Sequence, residues 1–155
     1  MAQVRLAMAF SAWHPRCTQY DAMGIQSSVS ITTGHILVVD DDPGERDLIV
    51  SSLRADGHDV DASGSGFEAL RLLGRQCYDL VVSNLMMPEL DGPSLYSAVM
   101  RRWPSSSPHF LFVSGLGNSS AYEGFLKVIH APLLPKPFKV GALRRAIKRI
   151  LQPRA

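Results

Sequence analysis

Three short runs constrain this chain most: "HILVVD" (residues 35–40), "DLVVS" (79–83) and "HFLFVS" (109–114), each apolar and β-branched or aromatic at consecutive positions. A strand with apolar residues on both faces cannot sit on a half-solvated sheet, so it must be covered from above and below. "HDVDA" (58–62) is a more polar strand that suits a sheet edge, and "PLL" (132–134) is a short fifth. The intervening segments carry apolar residues at helical spacing. Leu48, Ile49 and Leu53 mark the first helix, Ala69, Leu70 and Leu73 the second, and Leu143, Ala146, Ile147 and Ile150 the last. The second is expected over 66–76, and two further helices over 93–102 and 119–129. Five strand–helix units predict an α/β fold, doubly wound, with a five-stranded parallel sheet and helices on both faces. Asp42 is placed to cap the first helix, with Pro43 at its first position, Glu45 three residues after the cap and Gly57 as its stop.

At 155 residues the chain suits one domain with a proper core, and a net charge of +2 gives no general case for nucleic-acid binding. The charges are unevenly placed, however. Asp40, Asp41, Asp42, Glu45 and Asp47 crowd one stretch, whereas no acid follows Glu123 and the tail carries Lys136, Lys139, Arg144, Arg145, Lys148, Arg149 and Arg154. Cys17 and Cys77 are too few for a disulfide framework or a zinc site and read as free thiols. No apolar run approaches the ~18 residues of a membrane span, and Arg5, His14 and Pro15 interrupt any signal-peptide core. Residues 1–34 read as a flexible N-terminal extension, with a start at Met23 equally consistent, and residues 35–152 as the folded domain. A cytoplasmic location is expected.

In an open parallel sheet, ligands bind beyond the carboxyl ends of the strands. The residues there are Asp40 and Asp41 after the first strand, Asn84 at the end of the third, Ser114 at the end of the fourth and Lys136 at the end of the fifth. Paired carboxylates beside a hydroxyl and a lysine suit a hard cation with a phosphoryl group. A plainer reading, an acidic helix cap, accounts for Asp42 but not for three acids in a row facing Lys136.

"HILVVDDDP", "DLVVSNLMMPELDG", "FLFVSG" and "LLPKPF" together resemble the receiver (REC) domain of two-component response regulators over about residues 35–152. The resemblance implies a CheY-like, flavodoxin-like fold with strand order 2-1-3-4-5. It implies a Mg²⁺ site formed by Asp40, Asp41 and the backbone carbonyl of Met86, with Asp41 as the direct ligand. Ser114 is then the switch hydroxyl, Lys136 the site lysine, and Pro137 the proline of a cis Lys–Pro peptide. Two positions depart from the pattern: Asn84 stands where the family carries its phosphoaccepting aspartate, and Leu133 where an aromatic usually swings inward. An amide is a poor nucleophile, so no acyl phosphate is expected at Asn84. Replacing the acid takes the formal charge of residues 40, 41, 84 and 136 from −2 to −1. At an effective dielectric near 20 and ~4 Å the lost charge is worth roughly 4 kcal/mol of direct attraction. Mg²⁺ affinity should fall, with Asn84 a weak ligand at best. Lys136 is expected to pair with Asp41 instead.

The resemblance therefore implies a pseudo-receiver in a phosphorelay, acting by protein–protein contact and not an enzyme in its own right. Two other accounts of Asn84 stand beside it: a conventional phosphoaccepting receiver whose aspartate was exchanged, or phosphorylation elsewhere. For the latter, Ser83 is adjacent but points to the opposite face of the strand. Expected partners are a histidine kinase, a phosphotransfer protein or another signalling protein. The face of the fourth helix, fifth strand and last helix also offers a homodimer surface. Neither membrane contact nor direct nucleic-acid binding is expected. Asp40-x-Asp42 matches the spacing of haloacid-dehalogenase-like phosphatases, but that family's second acidic motif and cap domain are missing. "GSGFEA" (64–69) fits a dinucleotide fingerprint only in spacing, since it follows a weak second strand, and reads as a helix start.

Overall fold

Parallel strands cannot be joined by tight turns, so each must be followed by a crossover long enough to return to the sheet's starting edge. A computed structural model of the chain, which describes residues 33–115 and 119–152, shows this arrangement repeated along the chain. The elements are β1 (His35–Val39), α1 (Pro43–Ala55), β2 (Asp59–Ser63), α2 (Gly66–Leu73) and β3 (Leu80–Asn84). They are followed by α3 (Gly92–Arg102), β4 (His109–Gly115), α4 (Ser119–Ile129), β5 (Leu133–Lys136) and α5 (Val140–Leu151). The five strands form one sheet in the order β2-β1-β3-β4-β5, every pairing parallel. The polar strand β2 lies at an edge, as its composition suggested. Nearly all of the expected N-terminal extension, residues 1–32, falls outside the described residues.

Strand alternation divides the apolar runs between two cores. Ile36, Val38, Leu80, Val82, Leu111 and Val113 face one way and pack with Ile49 and Leu53 of α1 and Leu143 and Ile147 of α5. Leu37, Val39, Val81, Phe110 and Phe112 face the other and pack with Ala69 and Leu73 of α2 and Leu95 and Val99 of α3. On that second side Tyr96, Phe110, Phe112 and Phe125 meet largely edge to face, which extends the core beneath α4.

The helix starts follow from their caps. Asp42, Ser65 and Asp91 each accept a backbone N–H from three residues ahead, at α1, α2 and α3 respectively. Helix α2 stops at Leu73, short of the expected 76, because Gly74 caps it. One expectation fails outright. Cys77 is disulfide-bonded rather than a free thiol, while Cys17 lies outside the described residues.

Between β3 and α3 the chain doubles back, and Gly92 donates its N–H to Leu85 O at 2.9 Å. A Cβ at Gly92 would stand 2.7 Å from Asn84 O, 3.1 Å from Leu85 Cα and 3.2 Å from Phe112 Cε1. Two of these neighbours are backbone and cannot move aside cheaply. Gly92→Ala is expected to lose about 1–3 kcal/mol of stability through overpacking, read as a lower urea midpoint with an unchanged slope.

Candidate functional site

The carboxyl ends of β1, β3 and β5 bring Asp40, Asn84 and Lys136 together at one end of the sheet, with Asp41 beside them. Asp40 is wholly buried, at 0% exposure, although a carboxylate loses heavily on leaving water. Both of its oxygens are therefore engaged. Oδ1 accepts from Asp42 N at 2.9 Å, and Oδ2 accepts from Lys136 Nζ at 3.0 Å. Arg46 adds a second cation, donating to the Asp40 backbone carbonyl at 2.8 Å. Burial pushes the Asp40 carboxyl above its ordinary pKa, against the opposing pull of the Asp42 N–H and Lys136.

Lys136 sits on the last residue of β5 with its side chain 13% exposed. Its ammonium bonds Asp40 and also Glu45, from the first turn of α1. Burial works to lower the Lys136 pKa, but the hydrogen bonds to Glu45 and Asp40 outweigh it and hold it above the ordinary 10.5. The expected Lys136–Asp41 pair does not form. Asp41 is exposed and turns toward Asn84, which leaves Lys136 to the two carboxylates on its own side. Glu45 is the site residue that sequence reasoning missed, because its position three residues after Asp42 suited a capping box. Only half of that box exists. Asp42 accepts the Glu45 N–H at 2.9 Å, but the Asp42 N–H goes to Asp40, so the Glu45 side chain is released.

Asn84 directs its amide nitrogen at two oxygens, Asp41 Oδ1 at 3.1 Å and the Met86 carbonyl at 2.8 Å. These oxygens belong to the set the resemblance names as metal ligands. The hard oxygen donors of Asp40, Asp41 and Met86 suit Mg²⁺ in kind. With the amide turned over, Asn84 Oδ1 would join them, at the loss of both amide hydrogen bonds. Among the described residues no cluster of three or more His, Cys, Asp or Glu side chains is placed to hold a metal by itself.

The remaining expected site residues make their contacts elsewhere. Ser114 is buried, and its hydroxyl donates to Gly115 O at 3.2 Å rather than to any of the charged groups. Leu133 opens β5 opposite Phe112 and packs against the second core. Ser83 is buried and donates to Asn84 O at 2.9 Å. The Lys136–Pro137 peptide is cis, as the resemblance implied.

Residues 36–148 match the model of the response regulator receiver domain family. The chain belongs to that family. It is 34% identical over 124 residues to the transcriptional regulatory protein GlrR of Escherichia coli (strain K12), covering 78% of this chain and 27% of that protein. It is 33% identical over 120 residues to the sensor kinase CckA of Brucella abortus, covering 76% of this chain and 12% of that one. The chain thus spans about a quarter of GlrR and far less of CckA. Among solved structures, a response regulator described as putative from Chloroflexus aurantiacus superposes with a TM-score of 0.70 at 27% identity, over 77% of this chain and 98% of that one. The chemotaxis protein CheY4 of Vibrio cholerae superposes with a TM-score of 0.69 at 24% identity, over 76% and 98% of the two chains, which speaks to the fold alone. The receiver fold with strand order 2-1-3-4-5 is therefore the one the four motifs implied. No helix among the described residues is long and apolar enough to cross a membrane.

Removing the lysine leaves Asp40 buried without its cation. Lys136→Met is expected to cost about 3–5 kcal/mol at neutral pH, the usual penalty for breaking a buried pair. Because the folded Lys136 pKa is raised, its contribution is full below the ordinary 10.5 and fades as pH rises through the folded value. Urea midpoints measured from pH 8 to the alkaline limit should accordingly converge for the two proteins at the high end.

Proposed function

We propose that this receiver domain is a pseudo-receiver of a two-component phosphorelay, binding its partner without accepting phosphate. The observation that carries the reading is the carboxamide of Asn84, at the end of β3, donating to Asp41 and to the Met86 carbonyl. A phosphoaccepting residue at this position needs a free anionic oxygen to attack phosphorus. Asn84 offers a neutral amide whose nitrogen faces Asp41 and the Met86 carbonyl. The same contacts oppose Mg²⁺, since a cation at Asp41 and Met86 would have to displace the Asn84 N–H donors. When bound, Mg²⁺ would supply charge neutralisation to a phosphoryl group. The chain's own residues provide Lys136 and the acids around it.

A relative named as a transcriptional regulatory protein and another named as a sensor kinase support a place in phosphorelay signalling. The partner on this reading is a histidine kinase, a phosphotransfer protein or another signalling protein, and the domain is not itself an enzyme. Leu133, packed into the second core where an aromatic would swing, favours one dominant state of the face made by α4, β5 and α5. That face is also where a homodimer would form. The second reading, a conventional receiver whose aspartate was exchanged for Asn84, shares every other residue of the site.

Acetyl phosphate with Mg²⁺ should leave the intact mass of the protein unchanged, whereas Asn84→Asp should gain the phosphoryl increment of about 80 Da. Labelling of the unaltered chain would defeat the pseudo-receiver reading. Beryllofluoride with Mg²⁺ should likewise leave amide NMR shifts near Leu133 and Leu143 unmoved. Large shifts there would reveal a live two-state element.

A further inference from the structure

We infer that Glu45 is the carboxylate that replaces the one missing at position 84, so that the site carries its own counter-ion for Lys136 in place of an acid on β3. The inference rests on the pseudo-receiver reading and adds a residue, and a charge balance, to it. Lys136 is a largely buried ammonium, 13% exposed, and Asp40 meets only one of its three N–H donors. Position 84 contributes nothing toward it, because the Asn84 amide is directed to Asp41 and Met86. The second carboxylate comes instead from Glu45, whose side chain is 48% exposed and reaches Lys136 from the first turn of α1.

Three features make this more than an incidental surface pair. The Lys136 end is buried, so the contact is poorly screened by solvent. Glu45 is also released from its capping role, because Asp40 takes the Asp42 N–H that a capping-box glutamate would accept. Finally, the charges close: Asp40, Asp41 and Glu45 with Lys136 carry a formal −2, the value the site would have with an acid at position 84 and none at 45. The −1 expected from residues 40, 41, 84 and 136 leaves Glu45 out. With the Asn84 N–H donors on Asp41 and Met86 and the Glu45 carboxylate on Lys136, the chain's own atoms fill both places that a cation and a phosphoryl oxygen would claim.

Compensation has a signature that ordinary stabilisation lacks: the effect of losing Glu45 depends on what stands at position 84. In the unaltered chain, Glu45→Gln should lower the folding equilibrium constant by about fivefold or more, as expected for coupled neighbours. Asn84→Asp alone adds a fourth carboxylate to a site whose cations are Lys136 and Arg46, and should also destabilise. In that background Glu45→Gln should be neutral or should raise the folding constant. Urea denaturation in EDTA of the unaltered chain, the two single variants and the double variant measures the cycle. Asn84→Ser, which adds no charge, is the control in which Glu45→Gln should cost what it costs in the unaltered chain.

A second readout is the rate of labelling of the Asn84→Asp variant by acetyl phosphate. It should rise when Glu45→Gln is added, because Lys136 is then released to meet a phosphoryl oxygen. Equal losses from Glu45→Gln in the unaltered chain and in the Asn84→Asp background would overturn the inference while leaving the pseudo-receiver reading intact. Conversely, labelling of the unaltered chain would overturn that reading, whatever the cycle shows. Should Asn84→Asp fail to fold, recovery of folding by added Glu45→Gln supports compensation, and failure of both variants refutes it.

Discussion

A carboxylate with no exposure to water survives as an anion only where the protein supplies what water would have supplied, and Asp40 is held on those terms. Its two oxygens are met by a backbone N–H at the start of α1 and by the ammonium of Lys136, contributed from 96 residues away. That pair ties the end of the first strand to the end of the last. Much of the local geometry follows from it. Arg46 is drawn to the Asp40 carbonyl, the first turn of α1 is oriented by the Asp42 N–H, and Glu45 is turned toward the lysine instead of back to the cap. No buried side-chain polar atom among the described residues lacks a hydrogen-bond partner, which is the condition under which buried charge stabilises rather than strains a fold.

The fold was legible because the strands are written in a form that admits few alternatives. Runs such as Ile36–Val39 and Phe110–Val113 are apolar at consecutive positions, and the structure sends alternate residues into two separate cores. A single-faced sheet would have needed polar residues at every second place. Helix starts were legible where an oxygen-bearing side chain precedes the helix, as at Asp42. Strand order was not legible from periodicity, since the pattern of one strand says nothing about its neighbours. It came from the resemblance carried by the motifs at the strand ends.

The site was legible in its members and less so in its pairings. Asp40, Asp41, Asn84 and Lys136 do meet at one end of the sheet, because side chains at the carboxyl ends of parallel strands have nowhere else to go. Which carboxylate meets Lys136 depends on angles of approach that no spacing records. Asp41 leans toward the amide of Asn84, and Glu45 reaches the lysine from the first turn of α1. Glu45 was hidden by a competing explanation that is right for its backbone and wrong for its side chain. Where one residue fits two rules, sequence reasoning assigns it to the nearer one.

Gly34 lies against Leu151, close enough that an added Cβ would stand 3.1 Å from the leucine Cδ1. The entry to β1 and the exit from α5 thus share one pole of the molecule, while Asp40 and Lys136 occupy the other, a strand's length of about 17 Å away. The same adjacency makes the topology amenable to circular permutation: a short linker from Leu151 to Gly34 would span little distance, and new ends could be opened in a surface loop without cutting a strand from the sheet.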